Sequence, residues 1–525
     1  MKKLPLGITT FAKIRNPAEN YLYVDKSAIA QRLIEQGEYY FLSRPRRFGK
    51  SLFIDTLSEL LQANKALFKG LSVYDSWDWT LCYPVIHIDF NSGKFSTELG
   101  LEQRILDILE DTQERLGIEC KNQQDISSYF NEVIRQAYAK DQQKVVILID
   151  EYDKPILDNI SDRAQALVAR NTLKTFYSVI KSNDRYIKLV FITGVSKFSK
   201  MNLFSGLNNL TDITTMSDYA TICGYTHHDL ETTFAECLQG VDMDKLKQWY
   251  NGYDYLGGDA KRVYNPYDIL LFINNNLEYK NYWWSTGNPS FLIEKLKEQN
   301  YYIPKLENVV VSEEVLNTFD IDNIDLIALL WQTGYLTFAK KIPNFDDTYV
   351  YQLKVPNREI QSSLNQLFIN YLTNQAVDSH HNRTAIYQAI SEDVSQLHCV
   401  LESLFAAIPY HNYANNIIQR YEGYYASVVF SYLMSLGFPC IAEDVNATGR
   451  MDLTIKLPKR IVIIEFKVDK NEAALAQIKA KKYYQKYQAE AYRQQQDIYI
   501  VGICFASESK NISEFLWEKI PNNVI

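Results

Sequence analysis

Asp452-Leu-Thr-Ile-Lys-Leu-Pro458-Lys-Arg460-Ile-Val-Ile-Ile-Glu465-Phe-Lys467 is the stretch whose reading decides the C-terminal fold. An acid stands on one β-like run, Leu457-Pro458-Lys459 makes a turn, and a second, more apolar run ends in Glu-x-Lys. Alternate side chains of a strand share a face, so Glu465 and Lys467 point one way and Val462, Ile464 and Phe466 the other. If the two runs pair as a hairpin, Asp452 comes next to Glu465, and two carboxylates and an ammonium converge at one end of a sheet. Hard oxygen ligands of this kind suit Mg²⁺ or Mn²⁺, and a lysine beside them orients or helps deprotonate a water. That is a constellation for phosphodiester cleavage. A strand-borne Glu-x-Lys is also what a solvated cross-strand ion pair looks like. Against this, Arg460 to Val468 is apolar on both faces before Glu465, as a buried central strand is. A charge pair ending such a strand is costly unless it is used or paired.

Near the N-terminus, Glu38 to Ser43 reads as a short strand, Arg44-Pro45-Arg46-Arg47-Phe48-Gly49-Lys50-Ser51 as a loop, and Leu52 to Leu61 as a helix. Strand, loop, Gly-Lys-Ser and helix is the context of a phosphate-binding loop. Backbone N–H groups at a helix start attract phosphate. The expected contacts are Arg46, Arg47, Phe48, Gly49, Lys50, Ser51 and Leu52, with Lys50 reaching the β- and γ-phosphates and Ser51 binding Mg²⁺. Arg46 and Arg47 either neutralise phosphate charge or are simply solvated. Arg44 stands where such loops carry their first glycine, a residue suited to unusual dihedrals. The run Lys144 to Asp153 is a second half to match: continuous apolar residues closed by Asp150 and Glu151. It predicts a buried parallel strand delivering Asp150 to Mg²⁺ and Glu151 to an attacking water. A third run, Ile187 to Gly194, ends in Thr193, either a sensor of the γ-phosphate or an ordinary polar strand end.

These segments together resemble a bacterial AAA-ATPase-like family that carries a PD-(D/E)XK nuclease domain at its C-terminus. The resemblance rests on Tyr23-Val24-Asp25-Lys26, the Phe41 to Leu52 loop, Ile149 to Asp153, Phe191 to Val195, Phe204 to Leu210, Gly449 to Asp452, Ile463 to Val468 and Ala474 to Ile478. It implies Asp452 and Glu465 as metal ligands, Lys467 as the catalytic lysine, Gln477 as a supporting residue on the next helix, and Glu422 as an acid on the domain's first helix. It implies ATP and Mg²⁺ or Mn²⁺ as cofactors and nucleic acid, DNA in the first place, as partner. The family itself has arginine at the position of Arg44. Two departures stand out: Met451 replaces the usual proline, and Lys481 stands four after Gln477 where a tyrosine is expected, the first tyrosine being Tyr483.

The chain has 525 residues, 46% hydrophobic and 22% charged, with a net charge of −8. That length predicts about three domains, and the composition is that of a folded, soluble protein. No apolar run reaches a membrane span, and Met-Lys-Lys at the start lacks a secretory stretch, so the expected location is cytoplasmic, without a membrane partner. Seven cysteines occur with no Cys-x-x-Cys, which predicts buried free thiols and not disulfides or zinc. His227-His228 and His380-His381 lack metal-ligand spacing and read as surface. An acidic chain that handles nucleic acid needs a local basic track. Lys479, Lys481, Lys482 and Lys486, interleaved with Tyr483, Tyr484 and Tyr487, are either that track, with rings for base stacking, or a solvated helix face.

The strand–helix alternation up to about Gly224 predicts an α/β protein, and the resemblance implies a P-loop parallel-sheet ATPase-like domain over 1–224, a helical lid and winged-helix-like region over 225–375, and a helical lead-in with an α/β PD-(D/E)XK nuclease-like domain over 376–525. The recognition helix of the middle region is not visibly basic, so a structural or docking role is expected there. Three functions remain open at this level. One is a nucleotide-gated nuclease. Another is a nucleotide-binding scaffold whose nuclease-like domain binds nucleic acid or a partner without cutting. The third is an ATPase switch with no nucleic-acid partner. Assembly into a homo-oligomer is left open.

Overall fold

The computed structural model describes residues 2–521 apart from 94, 96, 124, 198–202, 205–206, 208, 259–260, 285–305, 307–308, 318–319, 322–323, 374–378, 409–421 and 472. Ser205, Gly206 and Asn208, residues 285–287, and the side chains of His380 and His381 therefore lie outside the described residues. The chain forms two compact units. The first comprises Met1–Phe291 and Val310–Arg358, and the second is built mainly from Glu359–Ile525.

Five strands organise the first unit: β1 (Tyr39–Ser43), β2 (Val85–Asp89), β3 (Val145–Asp150), β4 (Ile187–Gly194) and β5 (Thr211–Asp212). They are parallel, in the order β2-β3-β4-β1-β5. Helix α1 (Lys50–Leu61) covers one face, while α2 (Glu98–Leu116), α3 (Ile126–Asp141) and α4 (Arg163–Ser182) cover the other. The strands alternate accordingly. Tyr39, Phe41, Ile147 and Ile149 join the core under α2–α4, and Tyr40, Leu42, Val146 and Leu148 the core under α1. Burial on both faces is why these runs read as continuously apolar. Thr97, Asp125 and Asp162 cap α2, α3 and α4 by accepting from N–H groups of their first turns, which would otherwise lack partners.

Further along, α5 (His227–Thr233) starts in a capping box between Thr226 and Asp229. Strands β6 (Val310–Ser312), β7 (Thr337–Pro343) and β8 (Tyr349–Lys354) form an antiparallel sheet in the order β6-β8-β7, with α6 (Leu326–Gln332) between β6 and β7 in the chain. All seven residues of α6 are buried, so this helix has no free face to lay in a DNA groove.

In the second unit, α7 (Glu422–Ser435) precedes β9 (Cys440–Asn446), β10 (Gly449–Leu457) and β11 (Arg460–Val468). Then come α8 (Ala473–Lys481), α9 (Gln485–Gln494), β12 (Asp497–Ala506) and β13 (Asn511–Ile520). The sheet order is β13-β12-β11-β10-β9, with β11 and β12 parallel and the other neighbours antiparallel. Strand β11 lies at the centre and its residues 461–466 are buried. The expected α/β class with an N-terminal parallel sheet and a separate C-terminal α/β domain is the class observed.

Among the described residues no helix is long and apolar enough to cross a membrane. All seven cysteines are free, but they are not uniformly buried: Cys120, Cys223 and Cys504 are inside, and Cys82 and Cys399 are exposed.

Candidate functional site

The β10–β11 hairpin pairs Leu453 with Ile464 and closes at Leu457 opposite Arg460. Carried one residue further, this register sets Asp452 opposite Glu465, on the same face of the sheet. The Phe466 N–H donates to Asp452 Oδ2 at 2.8 Å, which holds that carboxylate over the start of the Glu-x-Lys segment. Lys467 Nζ lies 3.2 Å from Glu465 Oε1, 3.1 Å from Glu422 Oε1 and 2.8 Å from the Phe466 carbonyl. Gln477 Nε2, from α8, donates to the same Glu465 oxygen. The other oxygen, Oε2, is buried and has no hydrogen-bond partner among the described residues, and Glu465 is only 1% exposed. Glu422, Asp452, Glu465, Lys467 and Gln477 are therefore gathered around one end of β11.

Burial pushes the Asp452 carboxyl up to about 6. Burial and the charge of Asp452 together push Glu465 up to about 7. For Lys467, burial works against the ammonium, but Glu465, Asp452 and Glu422 together hold its pKa above the ordinary lysine value. Two carboxyls that resist joint ionisation, one with an oxygen unpartnered among the described residues, could hold a divalent cation, which would relieve both. Among the described residues no group of three or more Asp, Glu, His or Cys encloses a metal position. Two carboxylates nevertheless fit Mg²⁺, which keeps several waters and is completed by substrate phosphate oxygens.

The second constellation lies at the carboxyl ends of β1, β3 and β4. Gly49, at φ +92°, turns the chain into α1. Lys50 is buried, and its Nζ donates to the Arg44 and Pro45 carbonyls, both at 3.0 Å. Ser51 is half-buried and Phe48 is packed against Tyr253, so Phe48 can offer phosphate only its backbone. Arg46 and Arg47 are exposed, with the Arg47 guanidinium 4.1 Å over the Tyr267 ring. Across the sheet, Thr193 Oγ1 donates to Asp150 Oδ1 at 2.7 Å. Glu151 adopts φ +50°. Burial, with the charges of Asp150 and Asp153, holds its carboxyl pKa above the ordinary value against the opposing pull of Lys50 and Arg46.

Residues 5–204 match a family model described as a predicted AAA-ATPase, and residues 420–515 match one for the PD-(D/E)XK nuclease superfamily. An uncharacterised protein from the vnfD 5′ region of Azotobacter chroococcum mcd 1 is 42% identical over 523 residues, 99% of each chain. The chain belongs to the AAA-ATPase-like family with a C-terminal PD-(D/E)XK nuclease domain.

Within this AAA-ATPase-like protein, Arg44 does not shape the phosphate loop by its own dihedrals. The left-handed positions fall at Arg47 (φ +65°) and Gly49, so residue 44 needs no glycine. Its side chain leaves the loop for the core. Nη1 donates to the Ser43 and Thr214 carbonyls at 2.9 Å, and the guanidinium lies 3.6 Å over the Tyr255 ring. Arg44→Gly, which restores the general loop pattern, should therefore destabilise the protein by about 2–5 kcal/mol, read by chemical denaturation, because it leaves a cavity and orphaned carbonyls.

Sequence reasoning did not find two contributors to the nuclease-like centre, Gly502 and the Tyr483 hydroxyl. Gly502 pairs with Glu465 across β11 and β12, and a Cβ there would lie 2.3 Å from the Leu475 backbone nitrogen. That close approach seats α8, and so Gln477, against the sheet. Gly502→Ala should lower stability by about 1–3 kcal/mol and draw Gln477 off Glu465, seen as a lower melting temperature with weaker Mg²⁺ binding. Tyr483, two residues beyond the expected tyrosine position, brings its hydroxyl 3.4 Å from Gln477 Nε2. Asp444, buried in β9, is held by Lys486, Tyr487 and Thr454.

These contacts correct the basic, aromatic track. Tyr483 and Tyr487 are core residues and cannot stack on bases. Lys479 pairs with Glu518, and Lys486 with Asp444.

Proposed function

We propose that the chain is a nucleotide-binding, Mg²⁺-dependent nuclease that cuts phosphodiester bonds of DNA, its nucleotide state gating access to the cutting centre. The observation that supports this most is the buried Glu465 Oε2, which has no hydrogen-bond partner among the described residues, beside Asp452 and with Lys467 on the same carboxylate. Asp452 and Glu465 would hold the cation, which supplies Lewis acidity and a more acidic bound water. Lys467 stays protonated among three acids, so it orients the water or scissile phosphate and balances the charge that builds there. Glu422 and Gln477 keep Lys467 and Glu465 in place.

In the first unit, Lys50 would leave the Arg44 and Pro45 carbonyls for the β- and γ-phosphates. Ser51 and Asp150 would hold Mg²⁺, Glu151 would orient a water, and Thr193 would report the γ-phosphate through Asp150. Arg46, Arg47 and the backbone of Phe48, Gly49 and Leu52 would surround the phosphates. The base would enter the cavity that Gly49 and Leu52 help to line. Residues 225–375 would act as lid and docking region.

The test is full-length protein incubated with supercoiled plasmid in Mg²⁺, Mn²⁺ or EDTA, with and without ATP. Metal-dependent nicking that changes with ATP is expected. ATP binding without nicking under any condition would favour the non-cutting scaffold.

A further inference from the structure

The cavity beside α1 is partly open to solvent and offers about 60 Å³ to the centres of water-sized groups. Leu22 to Val24, Leu52, Phe53 and the segment Ile222 to Tyr225 make most of its wall, and Gly49 lies on it too. Cavity and phosphate loop are thus continuous. Such walls accept a flat apolar group but do little to orient it; that work falls to the few polar groups present. Tyr23 OH and Thr56 Oγ1 face each other at 3.5 Å, and Thr56 already donates to the Leu52 carbonyl at 2.8 Å. The Cys223 thiol is neutral, pushed up to about 11 by burial. Among the described lining residues, Lys26 has the charged side chain.

Lys26 Nζ is 2.9 Å from Asp229 Oδ2, and the two side chains are only 15% and 18% exposed. Asp229 is fixed independently, because Oδ2 also accepts from the Thr226 N–H at 2.7 Å in the capping box of α5. An ammonium has three donors, and Asp229 is the acceptor it meets among the described residues. A half-desolvated cation with donors to spare, on the wall of an apolar slot, is placed to meet an acceptor on whatever fills that slot.

We propose that Lys26, held in position by Asp229, is the residue that reads the nucleotide base, donating to a ring acceptor of a purine in this cavity. The proposal rests on the reading of Arg44–Ser51 as a phosphate loop.

Isothermal titration of the full-length protein with ATP and with tripolyphosphate, which has no base, tests both. Wild type should bind ATP more tightly than tripolyphosphate. Lys26→Met should weaken ATP about ten- to a hundredfold, as for a lost hydrogen bond to a charged group, and change tripolyphosphate less than about twofold. Asp229→Asn distinguishes a base reader from a structural tie: it keeps the ammonium and should retain the preference for ATP. If Lys26→Met weakens both ligands alike, weakens neither, or behaves as Asp229→Asn does, the assignment of Lys26 is wrong although the phosphate loop stands. If wild type binds neither ligand, the phosphate-loop reading itself fails.

Discussion

Lys467→Met should lower metal-dependent cleavage of plasmid DNA by about 10²–10⁴-fold, the range expected when a positioned proton-handling or charge-balancing group is removed. Methionine keeps most of the side-chain volume, so the buried end of β11 stays filled. The ammonium, with its contacts to Glu465, Glu422 and the Phe466 carbonyl, is lost. Removing the cation that favours ionisation of Glu465 and Asp452 should push both carboxyls higher still and weaken Mg²⁺ binding near neutral pH. The defect should therefore shrink, without disappearing, as pH and Mg²⁺ concentration are raised. Initial rates over a matrix of pH and Mg²⁺ decide the matter. Wild-type rates in the Met variant would mean that the ammonium takes no part and that the hairpin is not a cutting centre.

Glu465→Gln should abolish cleavage and yet make the metal-free protein more stable above neutral pH. In the folded state both carboxyls titrate higher than in the unfolded chain, Asp452 at about 6 and Glu465 at about 7. The folded form therefore binds more protons, and the stability this contributes is complete below about pH 4 and is lost as pH rises through 6 and 7. Glutamine carries no charge at any pH, so it removes the larger part of that loss while keeping a hydrogen-bonding group near Lys467. At pH 8 without metal the variant should gain on the order of 1 kcal/mol, about 2–4 °C in melting temperature, and its slope of stability against pH should be flatter. With Mg²⁺ the order reverses, because wild type gains from ligand binding and the variant gains little. Melting curves at pH 5.5 and 8, in EDTA and in Mg²⁺, check all four corners. A variant that melts below wild type in EDTA at pH 8 would show that Glu465 is satisfied in the fold and is not a strained ligand.

Much of the architecture was legible without coordinates. Tyr39–Ser43, Val145–Asp150 and Ile187–Gly194 are apolar on both faces, which only a strand buried between layers requires. The Asp452–Lys467 segment carries its own turn and its own alternation, so the partner of Asp452 follows from counting. The cysteines were less legible, because nothing local distinguishes exposed Cys82 from buried Cys120. The run of lysines and tyrosines after Gln477 stayed open between two readings for a similar reason. A tyrosine in a basic segment has the same local pattern whether its ring meets solvent or, as with Tyr483 and Tyr487, the underside of a sheet.

By itself the sequence determined the order of strands and helices, the two motif-bearing loops and the residue types gathered at each, since all of these are written within a few residues of one another. Only the tertiary structure decided that Arg44 is withdrawn into the core, that Lys50 rests on loop carbonyls, that Gly502 seats the helix bearing Gln477, and that one oxygen of Glu465 has no hydrogen-bond partner among the described residues. Each of these depends on atoms brought together from distant parts of the chain, and burial, which sets their charge and reach, belongs to the packed whole and not to any local stretch.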